Sequence, residues 1–426
     1  MRILNCRNLI LTAVLILSQT LNAQDVFDWE RILRVDLTLV GNKSYQNAYI
    51  ASLKYYDGRV SAPDRAISPF DYGSYRYMLI DPQRGDTLFF RSFSTLFEEW
   101  QSTADAIYSE RSFQQSIEMP FPLRELRLLV EVRNRRGEVR LLLDQLIDPR
   151  HHSVSRFIPA AFPYRLVHGD GRTDRVCFLF IAEGYTEAET EKFYSRAAKV
   201  AAELLNHEPY KANKDLINIY ALAVPSPESG CDIPTIGEWK NTPFDATFNT
   251  FGIERYLESL STWKIYDAAA QLPHDHIVLL VNTDKYGGGG VYNHFSILTA
   301  DHPLAGIILI HELGHGFAGL ADEYYESATT YEDFYDLNSE PAQPNLTTLV
   351  DFASKWQDLI KDGVPVPTPA DKEYEGVTGV FEGGGYVAKG VYRPSIDCRM
   401  HSNQAEGFCE VCTRVLERTI RFSAGQ

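Results

Sequence analysis

The sequence predicts an α+β protein of two domains, the first of them built from strands. Three observations predict it. The chain has 426 residues, more than one typical domain holds. Apolar and polar residues alternate in its first part, and strand-like and helix-like segments alternate from about Cys177 onward. We therefore expect a β-sandwich over residues 24–150 and a second, mixed domain over residues 151–426.

Residues 1–23 are typical of a secretory signal peptide. Arg2 and Arg7 precede the apolar run 9-LILTAVLILS-18, and 21-LNA-23 supplies a small residue before Gln24. The run is shorter than the roughly 20 residues that a membrane span needs. We expect a secreted protein (extracellular, periplasmic or on the cell surface) without an integral membrane segment after cleavage.

The chain is acidic, with a formal net charge of −16 that becomes −18 when Arg2 and Arg7 leave with the leader. Binding to nucleic acid or to an anionic membrane needs a basic surface, so the charge argues against both partners.

The strands of the first domain follow from a period of two. In 33-LRVDLTL-39 apolar and polar residues alternate, as in a strand with one buried face. The segment 126-LRLLVEVRNRRGEVRLLL-143 predicts a hairpin that turns through residues 134–137. Further short strands separated by Gly, Pro and Asp favour the sandwich.

The second domain opens with the apolar strand 176-VCFLFIA-182, in which Cys177 is expected to be a buried thiol. Thr186 and Glu189 have the spacing of a capping box and predict a helix start. That helix would bury one face, and strands and a last helix would follow. The buried face is Phe193, Ala197, Val200, Ala201 and Leu204; the strands are 216–224, 276–282 and 291–299; the last helix is 408–422.

A metal-binding motif lies in 311-HELGH-315, directly after the apolar run 303-PLAGIILI-310. His311 and His315 are four residues apart and share one face of a helix, where two imidazoles can bind one ion. Two nitrogens and one carboxylate with an open fourth position favour a single catalytic Zn²⁺. Glu312 is then placed as the general base for a water activated by the metal.

The third ligand is expected just after the helix. Gly316 and Gly319 allow the chain to leave it, and the next metal-binding side chains are Asp322 and Glu323. The metzincin pattern H-E-x-x-H-x-x-G-x-x-H/D has the same distance from glycine to third ligand as Gly319 to Asp322. We predict Asp322 as the ligand, with Glu323 as the alternative.

Three features downstream and upstream of the motif have more than one interpretation. Met400, in 394-PSIDCRMHSN-403, fits a methionine turn beneath the metal, and the alternative is an ordinary buried methionine. Tyr324 and Tyr325 could stabilise an oxyanion or simply pack under the loop. The glycine run in 284–290 lacks the G-K-[ST] of a phosphate loop. It favours a flexible approach to an edge strand over 291–299 that pairs with extended substrate.

The C-terminal cysteines also allow two interpretations. Cys398-x-x-His401 followed by Cys409-x-x-Cys412 has the spacing of a structural zinc knuckle. In a secreted protein a disulfide from Cys398 to Cys409 or Cys412 is favoured instead.

Together these residues resemble a known family, the bacterial IgA-peptidase-type zinc metallopeptidases. The resemblance is carried by 311-HELGHGFAGLADEYY-325, by the C-R-M turn at 398–400, and more weakly by 93-FSTLFEEWQS-102 and 114-QQSIEMPFP-122. It implies a secreted zinc endopeptidase whose metzincin-like zincin domain follows a β-sandwich. By position it implies the ligands His311, His315 and Asp322, the base Glu312 and the floor Met400.

We therefore predict hydrolysis of peptide bonds in extracellular proteins, IgA-like or other glycoproteins, by a monomer that binds extended polypeptide. The alternative is a secreted or surface module that binds protein or glycan and carries a structural or inactive zinc site. Glu312 argues against it, because a structural site needs no base. An exopeptidase would need a pocket for a free terminus, and the sequence shows no residues for one.

Overall fold

The computed structural model describes residues 25–325 and 335–426. The predicted signal peptide lies outside these residues. In the two described ranges, no helix combines the length and apolarity that crossing a bilayer requires.

Strands dominate the N-terminal part, as the alternating pattern predicts. They form two four-stranded sheets, and two short helices lie between the fourth and fifth strands along the chain. The strands are β1 (Phe27–Gly41), β2 (Gln46–Asp57), β3 (Tyr75–Ile80), β4 (Thr87–Phe93), β5 (Arg111–Pro122), β6 (Leu126–Arg133), β7 (Val139–Ile147) and β8 (Val154–Arg156), and the helices are α1 (Leu96–Gln101) and α2 (Asp105–Tyr108). The sheet orders are β5-β1-β2-β8 and β4-β3-β6-β7, and β6 and β7 form the predicted hairpin. Apolar residues of both sheets share one core.

The opposite face of β1 is also buried, which the alternating pattern did not predict. Arg34 and Asp36 are 0% and 1% exposed. Arg34 forms an ion pair with Asp267 of the second part, and Lys54 Nζ lies 3.0 Å from the same carboxylate. Arg34 and Asp36 are therefore buried in an ion-pair network that reaches the second part of the chain through Asp267.

A six-stranded sheet organises the second part, and helices cover it. Its elements are β9 (Tyr164–His168), β10 (Val176–Glu183), α3 (Thr190–Leu205), β11 (Ile217–Leu222), α4 (Thr262–Ala269), β12 (His276–Val281), β13 (Gly288–Gly290), β14 (Phe295–Thr299) and α5 (Ala305–Gly316). The order is β13-β14-β12-β10-β11-β9, in which the four inner strands are parallel and both edge strands antiparallel.

Both faces of β10 are buried, which explains its continuous apolar sequence. Phe178 and Phe180 face a core shared with α3 and α5, whereas Leu179 and Ile181 face a second core shared with α4. The capping box of Thr186 and Glu189 is present, and the predicted apolar face of α3 is buried.

One predicted strand begins too early. The structure starts β14 at Phe295 rather than at residue 291, and the sheet edge is instead β13, inside the glycine run. Glycines reduce strand propensity, which hid this short strand. The chain ends with the hairpin β15 (Phe381–Gly384) and β16 (Val387–Arg393) and the helix α6 (Glu410–Ser423). The predicted α+β class with a β-rich N-terminal part is confirmed.

Candidate metal centre

Helix α5 positions the metal-binding motif against the sheet edge. Its apolar residues Ile308, Leu309 and Leu313 are buried in the core beneath the sheet. The helix ends at Gly316, and Gly319 has a φ of +67°, so the chain reverses where the glycine spacing predicts.

The reversal brings Asp322 to the two histidines. His311 Nε2 and His315 Nε2 lie 3.1 Å apart, and Asp322 Oδ1 lies 3.2 and 3.3 Å from them. Zinc bonds of about 2.0–2.1 Å in a tetrahedron separate neighbouring ligand atoms by about 3.3 Å. Among the described residues no hydrogen-bond donor satisfies the buried Oδ1. The three atoms therefore fit one zinc ion.

Backbone carbonyls orient both imidazoles. His311 Nδ1 donates to Arg399 O at 3.0 Å, and His315 Nδ1 donates to Leu320 O at 2.7 Å. Since Nδ1 carries the proton in each ring, the lone pair of each neutral ring is at Nε2, the atom that faces Asp322.

The charges of the three side chains also favour contact between Asp322 and the two histidines. Burial opposes protonation of His315, but Asp322 outweighs it and raises the pKa of His315 to about 9. The pKa of Asp322 is held well below its usual range by both imidazoles, against the effect of burial. A metal ion would replace the proton that this carboxylate attracts.

Glu312 lies beside the triad and against the sheet edge. One of its carboxylate oxygens is within 4.8 Å of a ligand atom of each histidine. A Cβ atom at Gly288 would lie 2.8 Å from Glu312 Oε1, and one at Gly290 would lie 2.5 Å from Glu312 O. The glycines of β13 thus leave room for Glu312. Burial raises the pKa of Glu312, although both histidines oppose the shift, and a raised pKa suits a base.

Met400 packs directly under the motif. It is fully buried in a turn in which His401 N donates to Cys398 O at 2.8 Å. A Cβ atom at Gly314 would lie 2.5 Å from Met400 Sδ. The side chain therefore contacts the helix between the two histidines, where the sequence predicts an apolar floor.

Tyr386 enters the site although no motif marks it. Its hydroxyl donates to Asp322 Oδ2, and its ring lies 5.3 Å from that of Tyr324. It comes from the turn between β15 and β16, about 70 residues after the motif, within a glycine-rich stretch that has no metal-site spacing. Tyr324 and Tyr325 both line the cavity, and Tyr325 also packs on Gly383.

A cavity of about 1070 Å³ opens over the triad. Arg255 and His401 line it, as does Glu99 from α1 in the β-rich part. Glu99 lies in the stretch 93–102 that carries the weaker part of the resemblance. Its carboxylate accepts a hydrogen bond from Tyr256, and burial raises its pKa to about 7. Both parts of the chain therefore form the walls of the cavity.

Glu323 lies in a different cluster. Its carboxylate and the thiols of Cys398, Cys409 and Cys412 have ligand atoms within 4.8 Å of one another. The structure thus separates the two alternatives for the third ligand, with Asp322 beside the histidines and Glu323 beside the cysteines.

The disulfide that the sequence favours stays a prediction, and in the structure Cys398, Cys409 and Cys412 are free thiols. The three sulfurs share one site with a carboxylate, and this arrangement does not single out a pair. His401 does not join them, since it lines the cavity and its Nδ1 donates to Ile396 O at 2.9 Å.

Comparison with protein families gives two matches. The family model described as IgA Peptidase M64 matches residues 165–375 and 370–420. The model described as Peptidase M64 N-terminus matches residues 24–143. No curated protein matches the chain. The two models together span the β-rich part and the part that carries the histidine triad.

Proposed function

Because the chain belongs to the IgA peptidase M64 family, and is therefore a peptidase that acts on polypeptides, we propose that it is a secreted zinc-dependent endopeptidase. The observation that carries the proposal is the triad of His311 Nε2, His315 Nε2 and Asp322 Oδ1, with mutual separations of 3.1–3.3 Å beside the Glu312 carboxylate. The domain division at residue 150 and a metzincin-like arrangement of the catalytic domain are part of this proposal.

The donor set fits zinc and leaves a position for substrate. A Zn²⁺ ion held by His311, His315 and Asp322 would act as a Lewis acid on the scissile carbonyl and lower the pKa of the attacking water. Calcium and magnesium prefer oxygen ligands, so the two imidazoles argue against them.

Glu312 performs the proton transfers. Its carboxylate accepts a proton from the attacking water and then donates it to the amine that leaves. The glycines of β13 let the side chain stand close to the sheet edge, while its backbone is held in α5. The raised pKa of Glu312 matches a group that must take up a proton and release it in one cycle.

Two side chains around the triad have supporting roles. Tyr386 donates to Asp322 Oδ2 and so fixes the carboxylate with Oδ1 toward the histidines. Tyr324 lies over Tyr386 on the cavity wall and is a potential donor to the oxyanion, as is Arg255.

An extended polypeptide suits the shape of the cavity. The edge strand β13 lines it through all three of its glycines, and in the described part of the chain one bridge, from Tyr256 to Gly288, reaches its outer edge. The segment Gly289–Gly290 is the place where substrate would add main-chain hydrogen bonds. Extracellular proteins, IgA-like or other glycoproteins, are the proposed substrates.

The test is digestion of a panel of extracellular glycoproteins, IgA included, by the mature chain and by Glu312→Gln. We expect internal cuts by the wild type that a zinc chelator stops, and a rate lower by about 10³-fold or more in the variant. Glu138→Gln, in the turn between β6 and β7, is the matched control. Product termini are identified by mass spectrometry.

Zinc content is measured on the same samples. Glu312→Gln should keep the zinc of the wild type, since the substitution spares all three ligands. Equal cutting by wild type and Glu312→Gln would refute the role of Glu312. Cleavage of terminal residues alone would refute endopeptidase action.

A further inference from the structure

A second donor cluster lies behind the histidine triad. Cys409 and Cys412 are at the start of α6, Cys398 precedes the turn of Met400, and Glu323 follows Asp322. Their three sulfurs and one carboxylate oxygen all lie within 4.8 Å of one another, and Cys412 Sγ is 3.1 Å from Glu323 Oε1. Three segments of the chain thus meet at one point.

This cluster is closed to solvent. Glu323, Cys398 and Cys412 are each 0% exposed, and Cys409 is partly buried. Burial of a carboxylate is costly unless it is paired or coordinates a metal. Glu323 Oε1 accepts hydrogen bonds from Asn345 Nδ2 and the Cys412 thiol, whereas the described residues provide no donor to the buried Oε2. The second oxygen remains available to a ligand.

Two backbone amides are placed to stabilise a negative charge on the sulfur of Cys398. Met400 N lies 3.5 Å and Cys409 N 3.3 Å from Cys398 Sγ, and both can donate to it. Such N–H···S contacts are found around metal-bound thiolates, whose charge they stabilise. Two buried cations, Arg393 and Arg399, interact electrostatically with Glu323 and Cys398 respectively. The surroundings therefore suit a thiolate cluster.

We propose that Glu323, Cys398, Cys409 and Cys412 bind a second, structural Zn²⁺ ion. Three thiolates favour zinc over calcium or magnesium, and four protein ligands complete a tetrahedral structural site. Tetrahedral zinc–thiolate geometry separates sulfurs by about 3.8 Å, so the cluster needs shifts of about 1 Å at most. Binding releases the thiol protons to solvent.

The ion would tie the catalytic segment to its support. Glu323 is bonded to Asp322, and its backbone N donates to Met400 O at 2.8 Å. Cys398 precedes Arg399, whose carbonyl orients His311. A metal held by Glu323 and Cys398 would therefore restrain three neighbours of the histidine site at once. These are Asp322, Met400 and Arg399.

Metal analysis of the full mature chain tests the proposal without an activity assay. We expect about two zinc ions in the wild type, and about one each in Cys412→Ser and in His311→Ala. Cys231→Ser removes a buried free thiol outside the cluster and should keep both ions. Since the two single losses are independent, failure of the histidine site would still leave the cysteine site measurable.

Cobalt substitution in the wild type guards against a cysteine variant that fails to fold. Thiolate-to-cobalt absorption in the near ultraviolet should be present in the wild type and in His311→Ala. Alkylation after chelation and denaturation, without reductant, should modify all five of the mature thiols. One zinc ion together with two thiols lost to a disulfide would overturn the proposal, as would two ions retained in Cys412→Ser.

Discussion

Asp322 and Glu323 are consecutive residues, yet their carboxylates lie in clusters of opposite character. Asp322 joins two histidines that are each 17% exposed at the wall of a cavity. Glu323 joins three thiols and is fully buried. One cluster has three protein donors and a neighbouring base, and the other has four donors with no further acid or base in the group.

The difference indicates that the two clusters have different roles, with the histidine cluster suited to catalysis and the cysteine cluster to structural support. An open site needs a free position for substrate, and therefore depends on neighbours to hold its three ligands in place. The closed cluster lies among those neighbours, since it includes the residue after Asp322 and the residue before Arg399. The backbone between the clusters, rather than a shared side chain, connects them.

Exchange of each carboxylate for an amide should have the largest effect and should affect the two clusters differently. Asp322→Asn removes the proposed third ligand of the open site, and we expect loss of one zinc ion and a peptidase rate lower by about 10³-fold or more. Glu323→Gln should keep the zinc of the histidine site and weaken only the cysteine site. Zinc content and cleavage are measured on both variants. The reverse pattern would make Glu323 the third ligand of the histidine site.

The next largest effect is expected from a methyl group added at Gly314, where α5 contacts Met400. In Gly314→Ala the new Cβ would lie 2.5 Å from Met400 Sδ, so the buried Met400 side chain, α5 or the turn must shift. We expect the free energy of unfolding to fall by about 1–3 kcal/mol, as for overpacked cores. Gly407→Ala is the control, because its Cβ would meet its nearest neighbour at 3.7 Å. Denaturant unfolding that shows equal stability would mean that the Met400 side chain is not held tightly against the helix.

The residues of the open site that share a helix could be predicted from the sequence. His311, Glu312 and His315 follow from helical spacing, and the reversal to Asp322 follows from the position of Gly319. Each of these signals is local, because backbone geometry fixes how residues a few positions apart are arranged. The capping box of Thr186 is predictable for the same reason.

The remaining features depend on contacts between distant segments. Tyr386 and Glu99 reach the cavity from a hairpin and from the β-rich part, with no fixed spacing to the motif. Arg34 has the pattern of a solvent-facing residue and is buried because a second layer packs over its strand. The association of Glu323 with the cysteines likewise depends on how α6 packs beside the motif.

Loss of the Tyr386 hydroxyl should weaken the open site by a smaller amount. Tyr386→Phe removes the donor to Asp322 Oδ2, and partners of metal ligands typically contribute 10–100-fold in metal affinity or activity. We expect about tenfold weaker zinc binding at the histidine site and unchanged cobalt–thiolate absorption. Tyr392→Phe, on β16, is the control. An equal loss at both clusters would mean that the hairpin supports them together.

The smallest expected effect is the change of stability with pH that Glu99, on the cavity wall, contributes. Burial raises the pKa of Glu99 to about 7, whereas an unfolded glutamate titrates near 4.3. Between these values the folded chain binds more protons than the unfolded chain, so stability falls as pH rises from about 4.5 to 7. Because Glu99 is partly exposed, we expect its ionisation to cost about 1–2 kcal/mol, less than a fully buried group.

Glu99→Gln should remove that part of the pH dependence. Thermal unfolding of wild type and variant at pH 5 and pH 8 would then show a smaller difference between the two pH values in the variant. Glu110→Gln, an exposed residue directly before β5, should behave as the wild type. An identical pH response in Glu99→Gln would mean that Glu99 is already ionised at pH 5, hydrated by the cavity and stabilised by the hydrogen bond from Tyr256. The wall from the β-rich part would then present a fixed negative charge to substrate, rather than one that appears near neutral pH.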